Sequence, residues 1–98
     1  MSRRRSAETR LQILREKQRR HFLVRARQRF GLELTDVHCA EILARIERDK
    51  PGVLFLGILG WTSAWRVRWR KTTMVVLFDH HTNQLATCFK YKAWRWNR

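Results

Sequence analysis

Three arginines stand at alternate positions, Arg66, Arg68 and Arg70, separated by Val67 and Trp69. On a β-strand, residues two apart share a face and lie about 7 Å apart, close to the spacing of successive phosphates along a nucleic-acid strand. Burying Trp65, Val67 and Trp69 would turn all three guanidinium groups to solvent together, and no acid is interleaved with them. A few residues on, His80 and His81 follow Asp79. A carboxylate in that position can orient an imidazole for proton transfer. Cleavage of RNA through its 2′-hydroxyl needs a base, an acid and a cation on the phosphate, and His80, His81, Arg66 and Arg68 supply those types. Two histidines in a loop are equally the ordinary polar residues of a turn.

Other stretches carry binding chemistry rather than catalysis. The run from Lys90 to Arg98 interleaves Lys90, Lys92 and Arg95 with Tyr91, Trp94 and Trp96. Such a mixture can stack on unpaired bases while its charges hold the backbone; a tail folded back to bury one indole is the alternative. Arg15, Arg19 and Arg20, with Lys71 further on, complete the set of candidate nucleic-acid contacts. His38, Cys39, His80, His81 and Cys88 are zinc-ligand types, but no CxxC or HxxxH spacing joins them, and both cysteines fit core positions. Neither a metal nor another cofactor is expected. The absence of a glycine-rich phosphate loop, a GxSxG elbow or a paired-carboxylate site argues against nucleotide-driven and most hydrolase chemistries.

The elements that must position these residues follow from the hydrophobic period. Ala7, Leu11, Leu14, Phe22, Ala26 and Phe30 recur near 3.6, which predicts a long helix capped at Ser6 and ending near Gly31. Its stripe breaks at Gln18 inside the polar run from Arg15 to His21. Residues 1–20 are thus expected as an Arg-rich arm that projects, frays or orders on a partner. A second helix opens at Thr35 or Asp36, buries Cys39, Ile42, Leu43 and Ile46, and stops at Pro51-Gly52. The period then changes to 2. Val53–Leu59, Trp61–Arg70, Met74–Phe78 and Gln84–Tyr91 read as strands, with Trp61, Trp65 and Trp69 on the core face. The expected fold is α+β, two N-terminal helices packed on a four-stranded antiparallel sheet, ααββββ, in a single domain over residues 1–98 with a basic aromatic tail at 91–98.

The chain's 98 residues carry 22 Lys and Arg against 8 Asp and Glu, a formal charge of +14. Residues 1–30 hold 11 basic and 2 acidic residues, 31–60 hold 3 and 5, and 61–98 hold 8 and 1. A near-neutral middle between two basic ends describes a scaffold with separate contact surfaces, and a polyanion is the partner that such an excess favours. At 44% hydrophobic residues the chain is too apolar for disorder. Its longest apolar run is too short to span a bilayer, and no signal segment is visible. Two cysteines do not form a disulfide framework, which suits a cytoplasmic protein.

The order of elements resembles the RelE and barnase-like group of small ribonuclease toxins. Residues Ala64–Asp79, with Arg-Val-Arg-Trp followed by Val-Val-Leu-Phe-Asp, and Gln84–Phe89, with Leu-Ala-Thr-Cys, are similar to the paired strands of that group, over about residues 31–90. The resemblance implies a metal-independent endoribonuclease whose exposed sheet face would bring Arg66, Arg68, Arg70, Thr87 and Lys90 to the RNA, with His80 or His81 moving the proton. Fold-level likeness implies architecture before activity. The expectation is therefore a cytoplasmic RNA-binding protein, catalytic or not. The alternative is a non-catalytic phage or mobile-element protein that binds nucleic acid or a nucleoprotein complex and inhibits or organises it. The ribosome and an acidic antitoxin-like protein are further partners that the charge would suit; a membrane is not.

Overall fold

Six elements make up the computed structural model, which describes residues 3–48 and 50–91. They are α1 (Arg3–Phe30), α2 (Asp36–Glu47), β1 (Val53–Leu59), β2 (Thr62–Trp69), β3 (Thr72–Asp79) and β4 (Gln84–Lys90). The strands pair antiparallel in chain order, β1-β2-β3-β4. This is the ααββββ arrangement that the hydrophobic period predicts. The expected lysine- and tryptophan-bearing tail beyond Tyr91 lies outside the described residues.

Helix α1 begins at Arg3, upstream of the expected cap at Ser6. It stops where predicted: Gly31 adopts φ +66°. Its N–H donates to the Arg27 carbonyl, the bond of a glycine-closed helix end, and Leu32 N–H donates to the carbonyl of Ala26. Helix α2 opens on Thr35, whose hydroxyl accepts from His38 N–H, while Thr35 N–H donates to His38 Nδ1. The imidazole thus does the work that Glu or Gln does in an ordinary capping box.

Both helices bury their apolar stripes on one face of the sheet. Phe22 and Ala26 from α1 and Cys39, Ile42 and Ile46 from α2 meet Val67, Trp69, Met74, Val76, Phe78, Leu85 and Cys88. Burial pushes the Cys39 thiol up to about 11, with Asp36 adding to the effect, and the Cys88 thiol up to about 12. Both are core side chains, poor nucleophiles at neutral pH. Trp69 is buried among them with no partner for its Nε1–H among the described residues. The guanidinium groups of Arg45 and Arg70 lie 5.0 and 5.9 Å from its ring centres.

Two expectations about the core change. Trp61 is 78% exposed, because the chain turns at Gly60-Trp61 and β2 starts one residue later. Leu14 is exposed as well. The break at Gln18 has a direct cause: there α1 passes from the sheet's apolar face to the polar β3–β4 loop. Gln18 Nε2 donates to Asp79 Oδ2 at 2.8 Å, Thr82 Oγ1 donates to Gln18 Oε1, and Arg15 Nε donates to the Thr82 carbonyl at 2.9 Å. From Arg15 onward the helix is fastened to the body.

Phe22 is wholly buried. Phe22→Ala is expected to cost about 3–5 kcal/mol in urea unfolding, whereas Trp61→Ala should stay within about 0.5 kcal/mol of the parent. Equal costs for the two would contradict this placement of the core.

Candidate nucleic-acid interface

Alternation along β2 decides where the arginines go. Trp65, Val67 and Trp69 join the helix-side core, so Arg66 and Arg68 emerge exposed on the opposite face. Across the sheet on that face Leu54, Arg66, Val75 and Phe89 form one row, and Ala64, Leu77 and Thr87 form the next. Ala64 and Val75 are fully buried without belonging to the helix-side cluster, so the far face has an apolar floor of its own. The Arg66 guanidinium lies 5.8 Å from the centre of the Tyr91 ring. From the edge of the sheet Arg29 of α1 donates through Nη1 to the Cys88 carbonyl at 2.9 Å and sits 5.9 Å from the Phe89 ring. Both distances are at the outer limit of a cation–π contact, close enough for the rings to hold the guanidinium groups in place.

Arg29 and Phe89 are absent from the set that residue types and spacing suggest, and Tyr91 enters it only as part of the basic aromatic tail. The signal for the two aromatics was there: counting by twos from Thr87 puts Phe89 and Tyr91 on the face of Arg66. Arg29 had no such mark, because its role depends on α1 lying along β4, and no local pattern encodes that.

Other candidates are placed elsewhere. Arg70 and Lys71 form the β2–β3 turn, Arg70 at φ 55°, so the row of three ends at two. Lys90 pairs with Met74 and takes the helix-side face, exposed at its margin. Arg19 makes an ion pair with Asp36 at 3.4 Å, Arg15 is committed to the Thr82 carbonyl, and Arg20 is exposed on α1. Lys92, Trp94, Arg95 and Trp96 lie outside the described residues.

The histidines do not join Arg66 and Arg68. His80 Nε2 lies 2.9 Å from Ser63 Oγ, which also accepts from Trp65 Nε1–H at 2.8 Å. The His80 ring meets Phe78 edge-on at 4.8 Å. Ser63 and Phe78 are opposite neighbours on the helix-side face. His80 is therefore turned away from Arg66, and three strand positions, about 10 Å, separate Ser63 from it along β2. His81 is exposed, its ring 6.3 Å from that of Trp61.

Asp79 is the sole carboxylate in the sequence beyond Asp49. Partial burial pushes its pKa up, but hydrogen bonds from Gln18 and from the N–H groups of His81 and Thr82, with His81 nearby, together hold it below the ordinary carboxylate value. The sheet's one negative charge is thus engaged with its own loop. The ion pairs among the described residues are Arg19–Asp36 and Arg45–Glu41. Arg66 and Arg68 belong to neither.

No family model, curated protein or solved structure matches the chain. The site therefore stands on its own chemistry. Among the described residues no group of three His, Cys, Asp or Glu side chains could hold a metal ion, and no helix is long and apolar enough to cross a membrane.

A depressed carboxylate stabilises the fold above its unfolded pKa and loses that contribution as pH falls through the folded value. For Asp79 the loss belongs below about pH 4. Asp79→Ala should lower stability at pH 7 by roughly 1–2 kcal/mol and flatten the acid limb of a plot of Tm against pH. An unchanged limb would show that Asp79 does not hold the loop.

Proposed function

We propose that this protein binds RNA through the far face of its sheet, with Arg66 and Arg68 on the phosphates and Arg29 at the rim. The observation that carries the reading is the setting of Arg66: exposed, beside an aromatic ring, two residues from a second exposed arginine, and in no ion pair among the described residues. Each neutralised phosphate releases condensed counterions, so a face of this kind favours a polyanion. Guanidinium planes steadied by aromatic rings suit splayed single strands better than a smooth duplex groove. The exposed Arg-rich surface of α1 extends the basic field that steers such a ligand.

The reading is binding without cleavage. An endoribonuclease of the expected kind needs an imidazole at the phosphate that Arg66 holds, and His80 is engaged with Ser63 and Phe78 on the other face.

The test is fluorescence-anisotropy titration of a labelled single-stranded oligoribonucleotide over a range of salt. Arg66→Ala/Arg68→Ala should weaken binding by about 10- to 100-fold and flatten the plot of log affinity against log salt by about 1.4, the effect of two lost contacts on a single strand. His80→Ala/His81→Ala should bind as the parent does, and neither protein should shorten the oligonucleotide. Parental affinity and slope in the arginine variant would refute the chosen face; cleavage that disappears in the histidine variant would restore the enzymatic reading.

A further inference from the structure

The two edges of the sheet are treated differently. Along β4 lies α1, and Arg29 supplies a donor to the outward Cys88 carbonyl. Along the outer side of β1 no described strand pairs, and Val53 N–H there donates to the Lys50 carbonyl. Soluble proteins blunt such an edge with charge, proline or a covering segment. Here the nine residues Val53–Trp61 contain no charged and no polar side chain, in a chain with 22 Lys and Arg. Leu54, Phe55 and Leu59 are about half exposed, Ile58 is 71% exposed and Trp61 78%.

We propose that β1 is a dimerisation edge, on which a second copy of this chain adds antiparallel to give one continuous eight-stranded sheet. Three observations select a second copy as the occupant. The first is area. Taking about 150–250 Å² for a large apolar side chain, the exposed parts of the four on β1 (Leu54, Phe55, Ile58 and Leu59) amount to on the order of 400 Å² per copy. A two-fold pair buries about 800 Å² of side-chain surface, to which the newly paired backbone adds, the size of a weak, concentration-dependent interface.

The second is matching by face. The bulge between Phe55 and Gly57 shifts the alternation, so Phe55 and Ile58 share the helix-side face while Leu54 and Leu59 share the other. Gly57 is what allows this, since its φ of +154° is closed to other residues. A two-fold axis that sets Phe55 against Ile58 of the other copy therefore also sets Leu54 against Leu59. In both of these pairs an apolar side chain meets another. An acidic segment would instead bring carboxylates against leucine and isoleucine, and a nucleic acid would find no charge to pair with.

The third is closure. Only β1 is open among the described strands, so pairing consumes the free edge of each copy and ends at two. The opposing force is the +14 carried by each copy. Added salt screens it, the Debye length falling from about 10 Å at 0.1 M to about 3 Å at 1 M. Association of the two copies therefore strengthens with salt, the reverse of what salt does to RNA binding.

Sedimentation equilibrium of the full chain, freed of nucleic acid and run from 0.1 to 1 M NaCl at 5–100 μM (roughly the range in which an interface of this size is populated), decides the matter. The expected result is a monomer–dimer equilibrium that shifts toward dimer as salt rises. Ile58→Lys should remain monomeric throughout, while Val37→Lys, on the exposed side of α2, should dimerise as the parent does. A parent that stays monomeric to 1 M salt, an Ile58→Lys variant that dimerises unchanged, or a ladder of larger species would overturn the proposal. Should Ile58→Lys fail to fold, amide hydrogen exchange of the parent settles it: protection at β1 must rise with protein concentration, and concentration-independent exchange there counts against the dimer. None of these measurements involves RNA, so failure here leaves the proposed binding face standing, and the converse holds too.

Discussion

Strand β2 is the constraint on which the rest of the molecule depends. Its side chains alternate between large apolar groups and arginines, and a pleated strand allows such a sequence one solution. With Trp65, Val67 and Trp69 against the helices, Arg66 and Arg68 must stand on the far face. Slipping the register by one residue would bury two guanidinium groups and expose three large side chains, at a cost of many kcal/mol, so register and charge placement are set together. Buried core and exposed arginine row are thus two readings of the same eight residues.

Around that strand, polar contacts rather than apolar ones settle how α1 lies. The helix shares an apolar face with the sheet over Phe22, Leu23, Ala26 and Phe30. Its direction beyond that point is set by Arg15 and Gln18 reaching Thr82 and Asp79, and its other end by Arg29 on the β4 backbone. Asp79 has a central part in this. Bonding to Gln18 and to two N–H groups of its own loop, it joins the first element of the chain to a turn more than 60 residues later.

Much of the fold is legible in the sequence because it depends on local period and punctuation. The change from 3.6 to 2 after Gly52, the cap at Thr35 and the stop at Gly31 all appear as written. Trp61 illustrates the limit: it continues the alternation of β2, but a turn rather than a strand holds it, and hydrophobic character alone does not say where pairing starts. The site was legible in part. Arg66 and Arg68 follow from alternation, and so do Phe89 and Tyr91 once β4 is placed. Arg70 does not, because the strand ends a residue before it. Neither does the separation of His80 from Arg66, which requires knowing that Ser63 and Phe78 share a face. Arg29 and Gln18 act across some 60 residues of sequence, and their partners are fixed by tertiary packing alone.

The seating of α1 on β4 has a consequence in time. The Arg-rich helix leaves the ribosome well before its bonding partners Asp79, Thr82 and Cys88, which follow it by some 60 residues. Contacts so distant in sequence form late and slowly, because the loop between them must close before they are gained. Until β4 follows, the charged helix therefore has none of these contacts to rest on, beside a ribosomal surface rich in phosphate. Strand β4 is what closes that interval, turning an adhesive basic segment into one side of a finished molecule.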